Sequence, residues 1–260
     1  MITKRVFIIG SGNSLQEGFD NNLQELLKYK TVFTLNEEFR FFNSTVTFFG
    51  DWTFYKCRYD LLKNHPLIIG RFDNKFNNDV PKLPQLILLP SCPKYLGQHD
   101  SWKQGFYTGV LTGLFTLTVA IALGFEEIYL LGFDGHAING KTHHYQGLYG
   151  YGMFVNDDGK PRTGMGVKSN GMYNTSVFNK DKKRFNQDFW DKYKPELNRV
   201  KIYNVSPTSK IETFPKISYS DLFKKLKNDK ECINQSLIRQ KIKTYIKTHA
   251  NFNKNLYYCN

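Results

Sequence analysis

Apolar positions along this chain recur with two periods, and the switches between them outline an alternating β/α order. Val6-Phe7-Ile8-Ile9 is a short apolar run that stops at Gly10-Ser11-Gly12-Asn13-Ser14. Leu15 to Tyr29 follows, with Leu23, Leu26 and Leu27 at helical spacing, and then a second β-like run from Thr31 to Leu35. This is a β-turn-α-β unit, the opening of a doubly wound sheet. Further strands are expected at Val46–Phe49, Leu67–Ile69, Leu86–Leu89, Ile128–Leu131 and Val200–Val205. The clearest helix has Thr112 as its expected N-cap, Gly113 after it, an almost wholly apolar run from Leu114 to Leu123, and Gly124 as its stop. A helix apolar on every face is buried, here against a sheet covered on both sides.

From Gly135 to Asn179 the periodicity fades into a stretch rich in Gly, Asn, His and Tyr. Loops of that length in a compact domain usually carry function, so a lid or acceptor-binding insertion is expected at about 135–180. From Lys216 onward, ten Lys/Arg stand against three Asp/Glu. One or two basic amphipathic helices are expected there, with Leu222, Phe223 and Leu226 on one apolar face. The expected organisation is therefore a Rossmann-like α/β catalytic domain over 1–215, with a mostly parallel sheet, and a basic helical segment over 216–260.

Composition sharpens this outline. Of the 260 residues, 40% are hydrophobic and 16% aromatic, which excludes disorder along the whole chain. The most apolar stretch, Gly113 to Gly132, is broken by Glu126 and Glu127, so no integral membrane insertion is expected. The N-terminus has no signal-peptide pattern, and Cys57, Cys92, Cys232 and Cys259 form no CxxC pair. A cytoplasmic location, without a disulfide framework or zinc site, is expected. Lys and Arg outnumber Asp and Glu by 36 to 23, a formal charge of +13 that attracts polyanions.

Chemistry-bearing residues fall where strands give out, the edge at which open α/β sheets hold ligands. In Gly10, Ser11, Gly12, Asn13 and Ser14 the glycines let a ligand approach the backbone, and the next helix offers N–H groups to an anion. The dinucleotide fingerprint would place a third glycine at Leu15 and an acidic residue at Asn36, so a mononucleotide or nucleotide-sugar fits better than NAD. Asn36 could bind base or ribose. Asp51 beside Trp52 could serve as a general base or cap the helix from Trp52 to Leu62. Asp134, His143 and His144 could supply a base or a leaving-group acid, with Lys141 and Tyr145 near a departing phosphate. With His136 they could also be read as a metal cluster, but adjacent histidines seldom chelate one ion and no HxxxH helix is present. No metal is expected.

The run Thr112-Gly113…Val119-Ala120-Ile121-Ala122-Leu123-Gly124-Phe125-Glu126-Glu127-Ile128-Tyr129-Leu130-Leu131-Gly132-Phe133-Asp134 resembles the core of the bacterial family-42 sialyltransferases. Ile8 to Leu15, Thr34-Leu35-Asn36 and Ile202 to Ser209 fall in that family's order, so the likeness spans roughly residues 5–210. Leu130 to Asp134, Gly140-Lys141-Thr142-His143-His144 and the later Asn-x-Ser-Pro-x-Ser are also similar to a group of uncharacterised phage proteins. The resemblance implies a metal-independent transferase with a nucleotide-sugar cosubstrate and no bound cofactor. It implicates Gly10–Ser14, Asn36, Thr112 and Gly113 in holding the nucleotide. The family's base histidine has no counterpart in Gly171–Lys183, which points to another donor sugar and to a base at His143, His144 or Asp51.

The expected function is inverting glycosyl transfer to a hydroxylated base in DNA, in the host cytoplasm if the chain is phage-encoded. Trp52, Trp102 and Tyr107 are placed to stack on the exposed base. The alternatives are a glycan acceptor with the basic tail on anionic membrane, pyrophosphoryl transfer to a small heterocycle, and a non-catalytic nucleic-acid binder.

Overall fold

The computed structural model describes residues 3–72, 81–92, 97–108, 111–141, 143–145, 199–229 and 231–249, with the side chains of 97–99 outside the description. Its frame is an eight-stranded sheet: β1 Arg5–Ile9, β2 Val32–Leu35, β3 Val46–Phe49, β4 Ile68–Phe72, β5 Leu86–Cys92, β6 Phe106–Tyr107, β7 Glu127–Leu131 and β8 Lys201–Asn204. The order across the sheet is β6-β5-β4-β3-β2-β1-β7-β8, and every neighbouring pair is parallel. The strands of a parallel sheet are buried on both faces, which is why β1, β2, β3 and β7 read as nearly unbroken apolar runs. This is the expected doubly wound α/β class.

On one face, Val6, Ile8, Phe33, Phe48, Ile128 and Leu130 pack against α4 (Gly97–Gln104) and α5 (Thr112–Ala122). On the other, Phe7, Ile9, Val32, Tyr129 and Leu131 meet α1 (Leu15–Asp20) and α2 (Leu23–Leu27), while Phe49, Ile68 and Leu88 meet α3 (Trp52–Leu62). The single helix expected from Leu15 to Tyr29 is two. The chain breaks at Asn21–Asn22, where Asn22 takes φ 57°, a left-handed conformation that Asn tolerates better than most residues. Thr112 is the first helical residue of α5 and Leu111, with extended backbone, is its cap. Gly124 ends α5 at φ 84°, as its position suggested.

The basic C-terminal stretch contributes helices to both layers. In α6 (Tyr219–Lys227), Tyr219, Leu222 and Leu226 are buried against β1 and β7, with Phe223 partly covered. In α7 (Gln235–His249), Ile238, Ile242 and Ile246 join the opposite core. Gln235 Nε2 donates to the Lys30 carbonyl and Thr45 Oγ1 donates to Gln235 Oε1, so α7 starts under β2 and β3, at the strands' N-terminal edge. A half-buried ion network at the same edge ties α6 down. Arg5 bonds Glu127 and Asp229 at 2.5 Å each, and Lys225 reaches Glu127 at 2.6 Å while lying over the Tyr129 ring.

Candidate active site

Chain direction reverses its progress across the sheet between β1 and β7: strands 1 to 6 run outward one way, and β7 and β8 flank β1 on the other side. Ligands of open α/β sheets bind outside the carboxyl ends at such a switch point. Here that crevice is walled by the Gly10–Ser14 loop and by Gly132–Asp134, since Ile9 and Leu131 are paired at the two strand ends. The loop is fastened by its own donors. Gly10 N–H bonds the Leu131 carbonyl at 2.7 Å, Gly12 N–H the Gly132 carbonyl at 2.9 Å, and Ser14 N–H the Asp134 Oδ2 at 3.0 Å. Gly132 takes φ 69° against the Gly10 carbonyl, where a side chain has no room. The Ser11 and Asn13 N–H groups remain as the loop's uncommitted donors among the described residues, and Asn13 Nδ2 holds the Ile138 carbonyl at 3.2 Å.

Six buried polar atoms gather at this edge: Asn36 Oδ1, Asp134 Oδ1, Asn204 Oδ1 and Ser206 Oγ, which make no hydrogen bond among the described residues, and Ser14 Oγ and Tyr219 OH, which lie within reach of one another. They come from the ends of β1, β2, β7 and β8 and from the start of α6. Buried polar atoms almost always have partners, so a concentration of such atoms marks where a polar ligand or ordered water docks. Asn36 sits at φ 51°, a backbone conformation uncommon for a residue with a side chain. Tyr219 and Glu38, both fully buried, carry no motif that sequence reasoning could seize. Tyr219 enters beneath Gly18, and burial, with the nearby Asp134 carboxylate next in effect, pushes its hydroxyl pKa up. Asn204 and Ser209 fix the wall from behind: Asn204 Nδ2 donates to the Phe133 carbonyl at 3.1 Å and Ser209 Oγ donates to it at 2.7 Å.

A second group of donors faces the same edge. The first turn of α5 has no side-chain cap among the described residues, and the N–H groups of Thr112, Gly113 and Leu114 have no acceptor within the helix. Close approach brings it there, since a β-carbon on Gly50, just past β3, would meet Thr112 Oγ1 at 2.8 Å. The exposed Asp51 carboxylate accepts the Thr53 N–H at 2.8 Å, the N-cap geometry the sequence allowed, and Trp52 stacks on Tyr55 at 4.5 Å.

The two histidines differ. His144 is buried, its Nε2 lying 3.0 and 3.1 Å from the two carboxyl oxygens of Glu38, with Phe19, Phe41 and Tyr145 each at about 4.9–6.4 Å of one another or of its ring. Burial, then the neighbouring Glu37, holds Glu38 well above the usual carboxylate range, and burial, then His143, holds His144 down at about 4. His143 is lowered to about 4 by burial and lies 5.2 Å from the Tyr145 ring. Lys141 is exposed, in a two-residue bridge with Ile138.

Two expected acceptor residues are not brought to this place. Helix α5 runs antiparallel to the strands, and Trp102 Nε1 donates to the Ala122 carbonyl at its far end, about 15 Å from Thr112 along an eleven-residue helix. Trp102 is thus a core residue at the N-terminal edge, 4% exposed. Tyr107 is buried in β6, five strand spacings or about 24 Å from β1. Thr142, Tyr149, Tyr151 and Gly171–Lys183, with most of the expected lid, lie outside the described residues. Among the described residues no three His, Cys, Asp or Glu side chains gather as a metal site.

No protein-family model matches the chain, and no curated protein matches it. Its structure is similar to that of the sialyltransferase CstII from Campylobacter jejuni, which was determined in complex with the substrate analogue CMP-3FNeuAc. Identity is 20%, 83% of this chain and 86% of that one are covered, and the TM-score is 0.40.

Proposed function

We propose that this chain is a metal-independent, inverting glycosyltransferase using a nucleotide-sugar donor. The observation that carries the reading is the convergence of Asn36 and Asp134, each with a buried polar atom lacking a partner among the described residues, at the carboxyl edge beside the switch point between β1 and β7. Asn36 Oδ1 and Asp134 Oδ1 are acceptors suited to the hydroxyl and amino groups of a nucleoside. The uncommitted Ser11 and Asn13 N–H groups and the first turn of α5 are suited to its phosphates. His143, uncharged at neutral pH, is assigned as the base: it takes the acceptor hydroxyl proton as that oxygen bonds the anomeric carbon and the nucleotide leaves with the bonding pair.

The acceptor proposed from the sequence is a hydroxylated base in DNA. A glycan hydroxyl is the second reading, and the placement of α7 favours it. Arg239, Lys241, Lys243 and Lys247 lie on a helix that starts at the N-terminal edge, away from the site.

A thermal-shift panel of UDP-, CMP-, GDP- and ADP-linked sugars, with and without Mg²⁺, tests the donor. Saturation at about 100 times the dissociation constant adds roughly 2.7 kcal/mol. Stabilisation by one donor without metal supports the transferase, and that donor is then offered hydroxymethylated DNA and glycans in parallel. A shift only with ATP and Mg²⁺, or only with DNA, replaces the reading by a kinase or a binder.

A further inference from the structure

Glu37 and Glu38 are adjacent, both buried, and treated differently. Glu37 is paired with Arg58 at 2.6 Å and with Arg40 at 3.4 Å. Glu38, 0% exposed, has the His144 imidazole as its side-chain partner among the described residues. A buried polar pair of this kind seldom adds stability over apolar residues of the same shape, so its contribution is better sought in what it places. Three segments meet at His144. Its backbone N–H donates to the Ser11 carbonyl at 2.9 Å, in the glycine loop after β1. Its Nε2 holds Glu38, two residues beyond Asn36 in the 3₁₀ turn Asn36–Arg40 after β2. Its ring is enclosed by Phe19 of α1 and by Phe41 and Tyr145.

We propose that Glu38 and His144 are positioning residues: their hydrogen bond locks the left-handed Asn36 turn to the Ser11 carbonyl, keeping the two walls of the nucleotide site in register. The proposal rests on the nucleotide-binding reading of that site for its consequence and on the contacts alone for its geometry. His144 then has no direct part in the chemistry, although its residue type and its place after β7 suggest a base. The bond ties the Asn36 turn, through His144, to the glycine loop, so its loss should loosen that junction.

Four proteins decide it: wild type, Glu38→Gln, Glu38→Leu and the double variant Glu38→Leu/His144→Phe. Glutamine can still donate to Nε2, so Glu38→Gln should bind the donor within about twofold of wild type. Glu38→Leu strands the imidazole and should weaken donor binding roughly tenfold. The double variant removes both polar groups, so it should regain wild-type thermal stability while keeping the weakened donor affinity, with kcat at saturating donor little changed. A double variant that binds donor like wild type would overturn the proposal, because the pair would then be only a structural element. If wild type binds no nucleotide-sugar, the transferase reading fails and this one is decided by amide hydrogen exchange. Faster exchange confined to 11–14 and 36–40 in the double variant upholds the lock, and unchanged exchange there sinks it.

Discussion

The Asp134 carboxylate fills the space that a β-carbon on Gly12 would need: Oδ2 lies 2.5 Å and Cγ 2.7 Å from that position. The same oxygen accepts the Ser14 N–H, so carboxylate and loop are built around one another. Gly12→Ala must displace either a carboxyl group that is 3% exposed or the Gly132 carbonyl, 2.6 Å away. We expect it to cost about 1–3 kcal/mol in denaturant unfolding and to abolish nucleotide-sugar stabilisation. Unchanged stability would mean that the carboxylate does not sit on the loop.

Asp134→Asn separates the fold role of this residue from its ligand role. An amide oxygen can still accept from Ser14 N–H, so unfolding should shift by less than about 1 kcal/mol. The second carboxyl oxygen, buried and without a partner, becomes an NH₂ donor. Hydrogen bonds to a charged group contribute about 1.5–3 kcal/mol, so donor affinity should fall between about tenfold and a hundredfold by calorimetry. An affinity equal to wild type would remove Asp134 from the donor site.

The placement of α5 can be tested without any ligand. Gly50→Ala would press its new methyl group on Thr112 Oγ1 and should destabilise by about 1–3 kcal/mol. Thr112→Ala removes that oxygen, and the next nearest atoms of Thr112 are 3.6 and 3.7 Å away, so the double variant should recover most of the loss. A double-mutant cycle reads the coupling directly. Additive effects would place the start of α5 elsewhere than over the end of β3.

His65 gives a pH dependence with a definite sign. Its Nδ1–H donates to the Leu67 carbonyl at 3.1 Å, and its Nε2, 3.0 Å from Thr47 Oγ1, must accept. Burial, and further Arg239, hold this imidazole at about 4 against the opposing Leu67 hydrogen bond. The folded pKa lies below the unfolded value of about 6.5, so the unfolded chain takes up the proton first. The contribution is complete above pH 6.5 and is lost as pH falls from 6.5 to about 4, amounting to as much as about 3 kcal/mol. The shifts of His143 and His144 have the same sign, and the raised carboxyl of Glu38 the opposite one. Stability of His65→Phe, lower at pH 7 for want of two hydrogen bonds, should fall less steeply over that window. Parallel acid limbs would show that His65 is protonated in the folded protein.

The layers were legible because parallel strands buried on both sides leave a plain mark: β1, β2, β3 and β7 are apolar at nearly every position. Strand ends then located Gly10–Ser14, Asn36 and Asp134, since the C-terminal edge follows from strand direction alone. What failed depends on distance through space. The break at Asn22 lies in a pattern that remains helical on both sides of it. Tyr219 reaches Asp134 from 85 residues away, across an α6 whose lysines advertise a surface role. Glu38 looks like one half of an ordinary charged pair, and only the fold shows that its neighbour Glu37 has both arginines.

Trp102 provides the converse test, of a residue that sequence proximity to Thr112 had drawn toward the ligand. It stacks edge-on to Phe106 at 4.9 Å, lies 5.7 Å from Tyr245 of α7, and donates to the last turn of α5. Its work is therefore to join α4, α5 and α7. Trp102→Ala should cost about 3–5 kcal/mol, from the lost ring volume and the stranded Ala122 carbonyl. Sites this far apart, with no shared partner, behave additively within about 0.5 kcal/mol, so donor affinity of the folded fraction should stay within about twofold of wild type. Calorimetric titration beside a denaturant melt separates the two quantities. A variant that melts normally yet loses donor or acceptor binding would return Trp102 to the site and require α5 to run the other way.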